Sequence, residues 1–97
     1  MRIEILESDR NDLVSGMSFY ERQRSGLGSY FLDSISADIE SLLLFAGIHP
    51  LYFERYHRLL AKRFPFAIYY KTEGEVVLIY AILDCRQDPE RGVARLR

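Results

Sequence analysis

Hydrophobic residues recur at every second position from Phe64 onward and then run on without interruption. Phe64, Phe66, Ile68 and Tyr70 alternate with Arg63, Ala67, Tyr69 and Lys71, which predicts a strand with one apolar face. Val76 to Leu83 is apolar throughout and rich in Val and Ile. Such a run is short for a helix and predicts a strand covered on both faces, well inside a sheet. The polar stretch Thr72-Glu73-Gly74-Glu75 between them completes a β-hairpin. Pro65 has no ladder donor, so it is expected at the start of its strand or at a bulge.

Ahead of the hairpin the period changes. Arg2 to Glu7 alternates imperfectly around Ile3 and Ile5 and predicts a short strand. Ser8 and Asp9 then offer oxygens to the free amides of a helix start, with Asp12 adding negative charge in the first turn. Leu13, Val14, Met17 and Tyr20 keep helical spacing up to a link at Ser25-Gly26-Leu27-Gly28, short enough for an antiparallel helical hairpin. The second helix carries the clearest stripe: Phe31, Leu32, Ile35, Ile39, Leu42, Leu43 and Ala46, with Gly47 and Pro50 to stop it. Leu44 and Phe45 widen that stripe; with Phe19 and Tyr20 they either thicken the core or leave an apolar surface for a partner helix. His49 to Phe53 reads as a linker and Tyr56 to Ala61 as a strand. The order β-α-α-β-β-β predicts an α+β fold, two helices on one face of a small, mainly antiparallel sheet.

At 97 residues, the chain has room for one modest core. Residues 1–89 are expected to form one domain, followed by a basic tail at 90–97. No apolar run approaches the ~20 residues that span a bilayer, and a single cysteine, Cys85, fits a reducing cytoplasm. The net charge of -1 hides an asymmetry: Met1 to Glu54 carries -5 and Arg55 to Arg97 carries +4. A basic second half either meets an acidic partner or a phosphate backbone, or simply solvates one surface.

Candidate chemistry is sparse. His49 and His57 are far from Cys85 in sequence, and neither Cys-x-x-Cys nor His-Glu-x-x-His occurs, so no metal and no cofactor is expected. A nucleophilic pair of Cys85 and His57 has no supporting motif. What remains is the basic set Arg55, Arg58, Lys62, Arg63, Arg86 and Arg91. In extended chain, Tyr56, Arg58 and Lys62 share a face, with Arg86 closing a neighbouring strand. The cluster either holds an RNA phosphate or forms a solvated sheet edge, where charge discourages aggregation, and Arg86 can pair with Asp84 or Asp88. Metal-free RNA cleavage would also need a base for the 2'-hydroxyl and an acid for the leaving oxygen.

Several pieces, in this order and spacing, resemble RelE/ParE-type toxins of bacterial type II toxin-antitoxin modules, above all the ParE-like, plasmid-stabilisation branch. They are Tyr20-Glu21-Arg22-Gln23, Gly26-Leu27-Gly28, Phe31-Leu32, His49-Pro50, the run from Arg58 to Tyr70 and the closing Arg86-x-Asp88-Pro89. The resemblance implies a toxin neutralised by a cognate antitoxin that wraps it, in a hetero-oligomer. ParE-like action would inhibit DNA gyrase; RelE-like action would cleave mRNA on the ribosome.

RelE-type nucleases carry a Tyr or a His-Tyr pair near the C-terminus, and this sequence has neither after Tyr80. That departure favours the binding mode. The antitoxin surface is expected to include Phe19, Tyr20, Phe45, Arg58, Lys62 and Arg86, and the target surface Arg86, Arg91 and Arg95. In a nuclease, Arg58, Lys62 and Arg86 would stabilise the phosphate. A module that binds antitoxin without toxicity is the remaining alternative.

Overall fold

The computed structural model describes residues 1–52 and 54–86. Phe53 and residues 87–97, and with them the tail, Arg91 and Arg95, lie outside the described residues. The elements are β1 (Arg2–Ile5), α1 (Glu7–Gln23), α2 (Leu27–Glu40), α3 (Leu42–Phe45), β2 (Leu51–Tyr52), β3 (Tyr56–Leu60), β4 (Phe66–Glu73) and β5 (Val76–Asp84). They form a five-stranded sheet in the order β1-β5-β4-β3-β2. β1 runs parallel to β5 and every other pairing is antiparallel.

The expected hairpin is present. Glu73 pairs with Val76 across Gly74 and Glu75, and Gly74 takes φ +58, a conformation that glycine adopts without steric penalty. Pro65 sits just before β4, where its carbonyl accepts the N–H of Cys85 at 2.7 Å. β5 is flanked by β1 and β4, as its unbroken apolar run requires. A register shift pairs Tyr69 with Ala81 but Tyr70 with Ile79, leaving Tyr80 as an extra residue in β5. Such a bulge breaks the alternation. Val77, Ile79 and Ile82 therefore join the core under the helices, while Tyr80, Ala81 and Leu83 lie with Tyr56, Ala67 and Tyr69 on the outer face.

Phe31, Ile35 and Ile39 of α2, with Leu42 of α3, are buried against Leu59, Phe66, Ile68 and Tyr70. Removal of a ring such as that of Phe31 would cost about 3–5 kcal/mol. The helices approach closely because two glycines permit it: a Cβ on Gly16 would lie 2.7 Å from the Phe31 ring, and one on Gly28 would lie 2.7 Å from the Met17 carbonyl oxygen.

Four local expectations are corrected. Ser8 and Asp9 do not cap α1: the helix starts at Glu7 behind Leu6, without a side-chain cap, and Asp9 is fully buried within the first turn. Val14, although spaced with the stripe, is exposed, and so is Leu43. The second helix is interrupted at Ser41, whose Oγ donates to the Asp38 carbonyl at 2.6 Å, a back-bond that competes with the helical ladder. The presumed linker contains β2, whose two residues are too few to show a period. Asp38 of α2 is buried, and its carboxylate accepts the backbone N–H of Lys62 at 3.1 Å.

Candidate partner-binding site

Phe19 and Tyr20, in the last turns of α1, meet Arg86, which follows β5. The Asp84 carboxylate grips the Arg86 guanidinium through Nε at 3.0 Å and Nη2 at 2.9 Å, and also accepts the Arg86 backbone N–H at 2.9 Å. A planar guanidinium fits a carboxylate in this forked manner, which fixes its orientation. Nη2 also donates to the Tyr20 hydroxyl at 3.1 Å. The guanidinium carbon lies 5.7 Å from the Phe19 ring centre and 5.8 Å from that of Tyr20. Each such contact contributes about 0.5–1 kcal/mol where exposed.

The electrostatics follow from these contacts. Burial would raise the Asp84 pKa, but the hydrogen bonds and charge of Arg86 outweigh it and hold it below the ordinary value. Burial pushes the Tyr20 phenol up, against the opposing pull of Arg86. Tyr20 therefore stays a neutral hydrogen-bonding group at physiological pH.

Behind this cluster the aromatics are continuous. Tyr20 packs on Phe31 and Phe64 with ring centres 5.1 and 4.8 Å apart, and Phe64 leads to Tyr30, which lies under the Arg63 guanidinium. Beside the cluster a groove of about 240 Å³ is lined by Asp12, Ser15, Gly16 and Phe19 of α1, Phe66 of β4, and Ile82, Leu83 and Asp84 of β5. The half-exposed Arg86 and the partly exposed Phe19, beside a groove of mixed polarity, are residue types that dominate protein-protein binding energy.

The other expected residues lie elsewhere. Arg58 is on the outer face of the sheet, opposite Tyr69 in register and over the Tyr52 ring at 5.3 Å. Lys62 is exposed beyond the end of β3. Phe45, about half exposed, is in α3, past the end of α2 remote from Phe31. The structure thus joins Phe19, Tyr20 and Arg86, sets Arg58 on the outer face of the sheet and keeps Phe45 in α3. Cys85 and His57 do not pair: the thiol senses Arg58 and Asp84, whereas His57 stacks on Tyr70, which belongs to the core under the helices.

The expected pairing of Arg86 with Asp84 is present, and spacing missed two features. Phe64 completes the arginine-aromatic cluster. On the outer face, Tyr56 and Tyr80 meet at 5.2 Å with the Lys71 ammonium 4.9 and 5.5 Å from their ring centres. The alternation of β4 already placed Tyr69 and Lys71 on that face; the bulge that brings Tyr80 there has no signature in the sequence. Among the described residues no group of three or more His, Cys, Asp or Glu is placed to hold a metal ion, and no helix is long and apolar enough to cross a membrane.

Compared with solved structures, the chain is similar to one from the chromosomal ParDE TA system from P. aeruginosa. The TM-score is 0.73 at 18% identity, covering 84% of this chain and 92% of that one. Comparison with protein-family models and with curated proteins gives no match. At this identity the likeness is one of fold, and the fold is RelE/ParE-like: a helical hairpin on a mixed, mainly antiparallel sheet.

Proposed function

We propose that this chain is the toxin of a type II toxin-antitoxin module of the plasmid-stabilisation kind, held inactive in a hetero-oligomer by a cognate antitoxin. The observation that carries this reading is the fold likeness to a chain of a ParDE TA system over nearly the full length of both. The antitoxin engages Phe19, Tyr20 and Arg86 beside the groove, with Phe45, Arg58 and Lys62 as further contacts. The free toxin acts in the cytoplasm by binding DNA gyrase, to which Arg86, Arg91 and Arg95 contribute.

Binding is preferred over RNA cleavage because Arg86 and Arg58 contact opposite faces of the sheet: one reaches Tyr20 of α1, the other Tyr52 on the outer face. Two cations on opposite faces do not surround one phosphate. The decisive experiment is pulse labelling of DNA and protein synthesis in bacteria just after induction without antitoxin. An early fall in DNA synthesis, followed by inhibition of supercoiling by the purified chain, is the expected result. A first fall in translation would replace it with the endoribonuclease reading, and normal growth with that of a non-toxic antitoxin-binding module.

A further inference from the structure

The chain has two histidines, and both converge on one buried phenol. Tyr70 of β4 is fully buried, yet its hydroxyl reaches the segment that follows α3. There it accepts the N–H of Gly47 at 2.9 Å, and it also bonds the Nδ1 of the His49 ring. His57 of β3 pairs with Tyr70 in register and stacks on it, ring centres 5.1 Å apart and planes 23° from parallel. Its Nδ1 is 2.7 Å from the His49 carbonyl.

These partners fix the protons. A carbonyl only accepts, so Nδ1 of His57 carries hydrogen. The Tyr70 oxygen already receives the Gly47 N–H, and with His49 neutral and bare at Nδ1 the hydroxyl proton points to that nitrogen. A proton added at that nitrogen would turn the Tyr70 hydroxyl proton away from its acceptor inside a fully buried site, where an unmet donor is costly. The titratable groups acting on His49 are Tyr70 from β4 and His57 from β3.

We propose that Gly47 to Pro50 is a proton-released clasp: neutral His49 locks it to Tyr70 in the core, and protonation of His49 frees it. The far end is held differently, by the Arg58 N–H on the Pro50 carbonyl at 2.9 Å, a bond that does not titrate. Release is therefore confined to Gly47, Ile48 and His49. It loosens the connection between α3 and β2, which carries Ile48 at 72% exposure and follows Leu44 of α3 at 82%. Protons would thus control how this apolar edge is presented. Burial, and secondarily His57, lowers the His49 pKa below 6.5, so the clasp is closed at neutral pH and opens in acid. This inference is independent of the toxin reading.

Amide hydrogen exchange, corrected for its intrinsic pH dependence, tests it on the full chain. From about pH 7.5 to about pH 5, protection at Gly47 is expected to fall about tenfold, the scale of one lost buried hydrogen bond, while protection at Arg58 holds. His49→Asn keeps an acceptor near the place of Nδ1 but does not titrate, so Gly47 should stay protected throughout. Tyr70→Phe should leave Gly47 unprotected at both ends. Constant protection at Gly47 in the wild-type chain, or the same step in His49→Asn, would overturn the clasp.

Discussion

The Glu21 carboxylate of α1 accepts the backbone N–H of Gly28 at 3.0 Å, closing the first turn of α2 from outside that helix. The same carboxylate accepts the N–H of Gly26 at 3.1 Å. Gly26, at φ +88, offers no side chain to cap the helix, so α1 supplies the missing acceptor. Glu21→Ala should lower stability by about 1 kcal/mol, read as a lower urea midpoint with unchanged slope. Glu21→Gln, which keeps an acceptor oxygen but not the charge, should lose less. Equal losses would show that the carboxylate charge, and not the acceptor oxygen or the packing of the side chain, carries the effect.

Gly28 also sets the spacing between the helices. A methyl group there meets the backbone oxygen of Met17 at 2.7 Å, which cannot rotate away, so Gly28→Ala is expected to cost about 1–3 kcal/mol. At Gly26 nothing lies within 4 Å of an added Cβ, and Gly26→Ala should cost only the left-handed backbone penalty of about 1–2 kcal/mol. Chemical denaturation of both variants checks the order. A more damaging Gly26→Ala would mean that the hairpin accommodates the methyl at Gly28 by sliding.

Acid should weaken the grip of Asp84 on Arg86. The carboxyl is 16% exposed; burial alone would raise its pKa, but the hydrogen bonds and charge of Arg86 outweigh it and depress the value below 3.8. A depressed carboxylate contributes stability above its unfolded pKa and loses it as pH falls through the folded value. The wild-type chain should therefore be more stable than Asp84→Asn at neutral pH, and the gap should close below about pH 4. Urea midpoints across that range measure it. A gap that persists in strong acid would assign the difference to packing.

The β-hairpin was legible because one strand alternates and the next is apolar on both sides, and those patterns survive packing. Helix boundaries were less legible. Ser8 and Asp9 look like caps, yet Asp9 is fully buried in the first turn; the exposed Val14 and Leu43 sit at stripe spacing because periodicity records a face but not its width. The site was half legible: Phe19, Tyr20 and Arg86 do meet, through a bond between residues 66 positions apart in sequence. No local pattern encodes that contact; it follows from α1 packing beside the end of β5. Arg58 was grouped with Arg86 by charge, and the sheet puts them on different faces.

Cys85 reports on the outer face without any partner protein. Its thiol pKa is raised, by burial and then by the Asp84 charge, with Arg58 pulling the other way. Thiolate is the reacting species, so alkylation near neutral pH should be slow for an exposed cysteine. Arg58→Ala removes the favourable charge and should slow iodoacetamide further; Asp84→Asn should speed it. If Arg58→Ala leaves the rate unchanged, Arg58 does not reach across the face toward Cys85.

Arg86 is the side chain through which the binding reading is most exposed to failure. Its charge is shared with Asp84 and its plane is fixed by Tyr20, so it meets a partner already oriented and loses little side-chain freedom on binding. Arg86→Ala should weaken the antitoxin complex about thirtyfold, the scale of an interface hot spot near 2 kcal/mol. Lys62→Ala, an exposed cation beyond the end of β3, should cost less than about fivefold and chiefly at low salt. Arg86→Lys should recover little, because an ammonium cannot reproduce the forked contact with Asp84. Calorimetric titration with the antitoxin at low and high salt separates these effects: affinity should fall with salt for the wild-type chain and less steeply for Lys62→Ala. Should Arg86→Ala bind as tightly as wild type while remaining folded, the arginine-aromatic cluster would be a purely structural joint between α1 and β5.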